Sequence, residues 1–145
     1  MNAQQKDLSY YKLRLQELLN TSFPERAHDT EFIHHRASRA ADTYYDSFRS
    51  GNSNEQSDWI AECVLFDGFY FSKFDTIFKV VCNEFDTLMA DDELRPFALK
   101  MLPVCEPVFA RYELPEYFAD TPEYDLLYTE LAGTVQIWIE ENGLQ

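Results

Sequence analysis

The chain has 145 residues, 46% of them hydrophobic and 16% aromatic, and a formal net charge of −14. Such a length suits one domain that buries roughly two-thirds of the surface its unfolded chain would expose. The acidity argues against direct nucleic-acid binding, which depends on Lys and Arg displacing counterions, and no apolar run approaches the ~20 residues of a membrane span.

The polar start, Met1 to Lys6, lacks the apolar core of a signal peptide. The three cysteines are odd in number and show no C-x-x-C spacing. Reduced, buried thiols in a cytoplasm are therefore expected. Charge is distributed unevenly. Residues 1–72 hold seven basic and eleven acidic side chains, net −4, whereas residues 73–145 hold five and fifteen, net −10. No Lys or Arg follows Arg111, against eight acids. That asymmetry bears on partners rather than on fold.

The first helix is predicted from about Asp7 or Ser9 to Asn20, with Leu8, Tyr11, Leu15, Leu18 and Leu19 on one face. Pro24 closes the connection. A long second helix spans roughly Thr30 to Arg49, its inner face built from Ile33, Ala37, Ala40, Ala41, Tyr44 and Phe48. The alanines imply close approach to a neighbour. Glu31, His35, Arg39, Asp42, Asp46 and Arg49 form a solvated outer face, and Gly51 stops the helix.

The stretch from Trp59 to Phe85 is expected to be what the rest packs around. Ser53 with Gln56 reads as an N-cap and its reciprocal partner, starting a helix at about Asn54. Trp59, Ile60, Cys63, Val64 and Phe66 form its apolar face, and Gly68 ends it by accepting the left-handed conformation. Phe69, Tyr70 and Phe71 turn a corner. Ser72 and Asp75 repeat the cap spacing, and Phe74, Ile77, Phe78, Val81 and Phe85 make a single stripe.

Asp91-Asp92-Glu93 gives an acidic helix start, and Leu94, Phe97, Ala98, Met101 and Leu102 keep the apolar spacing. Pro103 and Pro107 are expected to interrupt or kink this path, with Pro103 opening a short helix to about Tyr112. Leu114–Asp120 reads as a loop with one helical turn. Thr121 as cap and Pro122 as first residue begin the last helix. Tyr124, Leu127, Tyr128, Leu131, Val135, Trp138 and Ile139 hold its register, and Gly143 ends it. Leu126, Gly133 and Ile137 form a second, narrower stripe on the far side. A helix with two stripes sits between two neighbours, or has one side covered by another subunit.

The chemistry-bearing residues form no recognisable catalytic set. Glu31-x-x-His34 has metal-ligand spacing, but a di-iron bundle needs two such pairs on different helices, and the chain has only His28, His34 and His35. A single-metal site from His28, Glu31 and His35 is the residual alternative, outweighed by surface pairing. Cys63, Cys82 and Cys105 read as core thiols rather than nucleophiles. The scattered glycines exclude a phosphate loop. The Trp59–Phe85 unit offers too few cations for a DNA-reading helix pair. Asp67 reads either as a proton-transfer carboxylate or, preferably, as one tied to Lys73 or corner amides. Arg26, His28, His35, Arg36 and Arg39 concentrate positive charge, for an anion or for pairing with the acidic half; pairing between chains would favour a dimer.

Phe71-Ser-Lys-Phe-Asp-Thr76, Asn83-Glu-Phe85, Leu102-Pro-Val-Cys-Glu-Pro-Val-Phe-Ala-Arg-Tyr112 and Thr121-Pro-Glu-Tyr-Asp-Leu-Leu-Tyr-Thr-Glu-Leu131 resemble the family catalogued as domain of unknown function 1896. The resemblance covers about Leu8 to Leu144. It implies a small, all-helical, cytoplasmic protein, often encoded on conjugative transposons, and carries no functional residues across.

The reading is thus an all-α chain, residues 1–145 forming a single bundle of about six helices, with the Ser53–Phe85 pair and the last helix at its centre. No catalytic, metal or cofactor-binding residues are assigned, and no cofactor is expected. The favoured role is an accessory protein acting through protein–protein contact in a mobile-element setting, a homodimer being one form of that contact. Arg36, Arg39, His35, Leu126, Glu130 and Ile137 are the candidate interaction surface. The alternatives are a nucleic-acid mimic that uses its acidic half to occupy a DNA-binding protein, and a small metal-dependent enzyme centred on His28, Glu31, His35 or Asp67.

Overall fold

The computed structural model describes residues 6–144; the polar stretch Met1 to Gln5, and Gln145, lie outside the described residues. Six helices follow in order: α1 (Leu8–Ser22), α2 (Thr30–Arg49), α3 (Asn54–Leu65), α4 (Lys73–Glu84), α5 (Asp91–Phe109) and α6 (Glu123–Asn142). Short 3-10 turns lie at Pro24–Arg26, Asp86–Leu88 and Phe118–Asp120. No strand occurs among the described residues, so the chain is all-α. The chain divides into two units, the first ending at Phe69 and the second beginning at Tyr70.

In the first unit α2 packs against both α1 and α3. Asp7 caps α1 by accepting from the Tyr10 amide, and Tyr11, Leu15 and Leu19 are buried. Ile33, Ala37, Ala40, Ala41 and Tyr44 face inward from α2, but Phe48 is 45% exposed and Ser47 takes the inner position instead. The Ser53–Gln56 capping box forms as the spacing requires. The face of α3, however, is not the expected one. Ser57, Ala61 and Leu65 are buried, whereas Trp59 is 68% exposed.

The reason is helix separation. With Ala37, Ala40 and Ala41 on α2, close approach favours the small Ser57 and Ala61 along most of the contact, and Leu65 fills the space at the C-terminal end of α3. Ser57 is accommodated because its hydroxyl donates to Ser47 Oγ at 3.1 Å, and Asn52 Nδ2 donates to the same oxygen at 2.9 Å. Among the described residues no buried side-chain nitrogen or oxygen lacks a partner.

In the second unit α4, α5 and α6 pack pairwise. Phe74, Ile77, Val80 and Val81 of α4 meet Phe97, Ala98, Met101, Cys105 and Phe109 of α5 and Leu127, Leu131 and Val135 of α6 in one core. The expected Trp59–Phe85 centre is therefore corrected. The buried residues of α3 belong to the first core and those of α4 to the second. Even the corner is shared out: Phe69 meets Phe23 and Phe32, while Phe71 meets Phe118.

The prolines do not break α5, which runs from Asp91 to Phe109 with Pro96, Pro103 and Pro107 inside it. All three lie on the exposed face, opposite the buried stripe. The carbonyls their missing amides would have reached, four residues back at Asp92, Leu99 and Pro103, are on that solvent-facing side as well. The cost is ~3 kcal/mol per interior proline, and the seven buried residues of the same helix offset it. Pro122 and Thr121 also differ from expectation. Thr121 Oγ1 donates to the Phe118 carbonyl at 2.7 Å rather than capping α6, and α6 begins at Glu123 without a side-chain cap.

Replacing Pro103 with Ala should restore an amide donor on an exposed face and raise the unfolding free energy by about 1–3 kcal/mol. Urea denaturation with an unchanged slope would measure it; a loss of stability would mean that the proline ring is a packing element.

Candidate functional site

The inner stripe of α6 (Leu127, Leu131 and Val135) is completely buried. That burial fixes which residues the helix turns outward. Leu126 is 62% and Ile137 55% exposed, with Gly133 exposed between them. A Cβ built at Gly133 would meet nothing within 4 Å, and its φ is not positive. No turn or neighbour in the described residues requires glycine there, although a mid-helix glycine costs ~1 kcal/mol relative to alanine.

Glu130 sits on this same face, half-buried, and accepts from Arg111 Nη2 and from the Tyr112 hydroxyl. That hydrogen bond to the carboxylate pushes the Tyr112 phenol above its ordinary pKa. The three side chains join the end of α5 to the middle of α6. Arg111 and Tyr112 were not singled out from sequence, though Arg111 stands as the last cation before eight acids. Exposed carboxylates flank the stripe at both ends, Glu123 and Asp125 at one, Glu140 and Glu141 at the other.

The other candidates are dispersed. Arg36 Nη1 donates to the carbonyls of Val64, Leu65 and Asp67 at 3.3, 3.3 and 2.8 Å, closing the C-terminus of α3. Its guanidinium lies 4.8 Å from the Phe32 ring centroid, and that of Arg26 lies 4.3 Å from it. This side chain holds the fold together. His35 and Arg39 are exposed on the outer face of α2, on a different unit from Leu126, Glu130 and Ile137.

Asp67 is exposed, and Lys73, its expected partner, pairs with Glu106 at 2.8 Å. His28, Glu31, His34 and His35 are all exposed. No group of three His, Cys, Asp or Glu able to hold a metal converges among the described residues. The cysteines differ from the expected uniform burial: Cys63 is exposed, Cys82 half-buried and Cys105 buried. Cys63 is outward because it shares the Trp59 side of α3. Burial pushes the Cys105 thiol up to about 11.

A half-open hollow of about 260 Å³ is lined by Asp92, Glu93 and Lys100 with Leu88, Met89 and Phe97. It is smaller than the usual ~300–1,000 Å³ of a ligand site, and the Glu93 carboxylate is occupied in accepting from the Ala90 amide at 2.8 Å. No helix among the described residues is long and apolar enough to cross a membrane.

The family model described as Domain of unknown function (DUF1896) matches residues 3–144. The chain is also similar to a solved structure, described as the crystal structure of protein PG0816 from Porphyromonas gingivalis. The two are 36% identical, the match covers 98% of this chain and 97% of that one, and the TM-score is 0.85. No curated protein matches.

Arg36→Ala should lower stability by about 1–3 kcal/mol, the usual worth of charged hydrogen bonds, while Arg39→Ala should change it by less than ~0.5 kcal/mol. Thermal unfolding of the two variants separates these roles. A thiol reagent at pH 8 should label Cys63 first and Cys105 only on unfolding. Because Cys105 holds its proton more tightly folded than unfolded, its contribution to stability is complete below pH 9. It should be lost by about 2 kcal/mol as pH rises to 11, an effect that Cys105→Ala should abolish in urea titrations.

Proposed function

For a chain that belongs to the DUF1896 family, we propose an accessory role exercised by protein–protein contact through the outer face of α6. One observation carries this reading: Leu126 and Ile137 stay exposed on a helix whose opposite stripe is wholly buried. Isolated exposed apolar residues need no explanation. Two of them in helical register around an exposed glycine make a seam, and a partner helix reads such spacing. The mobile-element setting implied by the family resemblance belongs to this reading.

The nucleic-acid mimic needs carboxylates at phosphate-like intervals. Along α6 the acids instead collect at the two ends, and Asp125 and Glu140 stand roughly 22 Å apart at 1.5 Å per residue. Between them lie Leu126, Gly133 and Ile137, with Glu130 engaged by Arg111 and Tyr112. That pattern favours a docking face over a phosphate track.

The test is affinity capture from the native host with the full chain and with Leu126→Asp/Ile137→Asp. Wild type should retain at least one protein that the double variant loses while keeping its helical circular dichroism. Retention of identical proteins by both, or of none, would remove the α6 reading.

A further inference from the structure

Building on that α6 reading, we infer that the partner element seated on this face is a basic amphipathic helix. Leu126, Glu130, Gly133 and Ile137 are separated by four, three and four residues, the spacing of a seam that one helix presents to another. Glycine at its middle lets a second backbone approach closely, and no contact of this chain within 4 Å of a Cβ there gives another reason for it. The geometry therefore specifies a helix.

Charge specifies which helix. The seam is bounded by Glu123 and Asp125 at one end and by Glu140 and Glu141 at the other, all exposed. Arg111, the last cation in the sequence, is already engaged by Glu130. A second copy laid antiparallel would match Leu126 with Ile137, but it would also set Glu123 against Glu140 at both ends with no cation between. A parallel copy would oppose every acid to itself. Like charges facing across an interface disfavour the pair, whereas Lys or Arg flanking an apolar stripe complements this rim. The occupant is therefore cationic at both ends and apolar along its centre.

The probe is a fluorescein-labelled designed peptide of ~20 residues, Leu at the two seam positions of each heptad and Lys at the flanking ones, with a Glu-for-Lys version as control. Fluorescence anisotropy with the full chain should show saturable binding of the Lys peptide that weakens with salt. Leu126→Asp, Ile137→Asp and Gly133→Leu should each weaken it by at least about tenfold. Gly133→Leu should improve helix propensity, so its failure to bind would not be a folding defect. Equal binding of the Glu peptide, or no loss in any of the three variants, would overturn the inference. So would a dimeric mass by light scattering that Ile137→Asp converts to monomer, which would name a second copy as the occupant and leave protein contact at α6 standing. The capture experiment above judges that underlying contact separately, because it needs no assumption about partner charge.

Discussion

A helix at the surface of a small protein typically turns one stripe, a little over 100° wide, towards the core. Everything distinctive here follows from how each helix spends that single stripe. On α4 and α5 the largest apolar residues take it, and Phe74, Ile77, Met101 and Phe109 are all but removed from solvent. On α3 Ser57 and Ala61 take it together with Leu65, because the alanine face of α2 favours small residues along most of the contact. On α6 the stripe of Leu127, Leu131 and Val135 is sufficient for packing, which leaves a second apolar set with no place in the core of its own unit.

Where a helix has one obvious stripe, the sequence was readable almost to the residue. The caps at Ser53 and Ser72 and the bounds of α2 appear where spacing placed them, and on α4 Phe74, Ile77, Val81 and Phe85 are buried as expected, while Val80 joins them and Phe78 is half-buried. Misreadings came from ranking residues by hydrophobicity alone. Trp59 outranks Ser57 on any scale, yet the ring cannot enter a contact built for alanine, and the serine can because Ser47 satisfies its hydroxyl. The prolines of α5 misled for a related reason. The cost of proline is a matter of sequence, but its tolerance depends on which face loses the donor; helical spacing places all three opposite Leu94, and the structure shows that the helix continues through them.

Function was less legible because the same residue type can be structural or free. Arg36 looked like part of a basic recognition patch, and it is an α3 clamp with three carbonyl acceptors. Glu130 reads from sequence as part of an interaction surface, and its carboxylate accepts from Arg111 and Tyr112 at the middle of α6. Among the exposed apolar residues of the second unit, Leu126 and Ile137 share one helix face with Gly133 between them. The first unit exposes the Trp59 side of α3, beside a shallow hollow lined by Asn52, Glu55, Gln56 and Ile60. The α6 face combines an apolar seam with carboxylates at both of its ends.

The account therefore rests on a division of labour within one helix. Its most direct measurement is the urea stability of two matched variants of the full chain, Leu126→Ser/Ile137→Ser on the outer stripe and Leu127→Ser on the inner one. The outer pair should leave the unfolding free energy within about 0.5 kcal/mol of wild type, while the single inner change should cost about 3 kcal/mol or more. Comparable losses in both would show that the outer stripe is needed for folding, and the claim that it is free for a partner would fail.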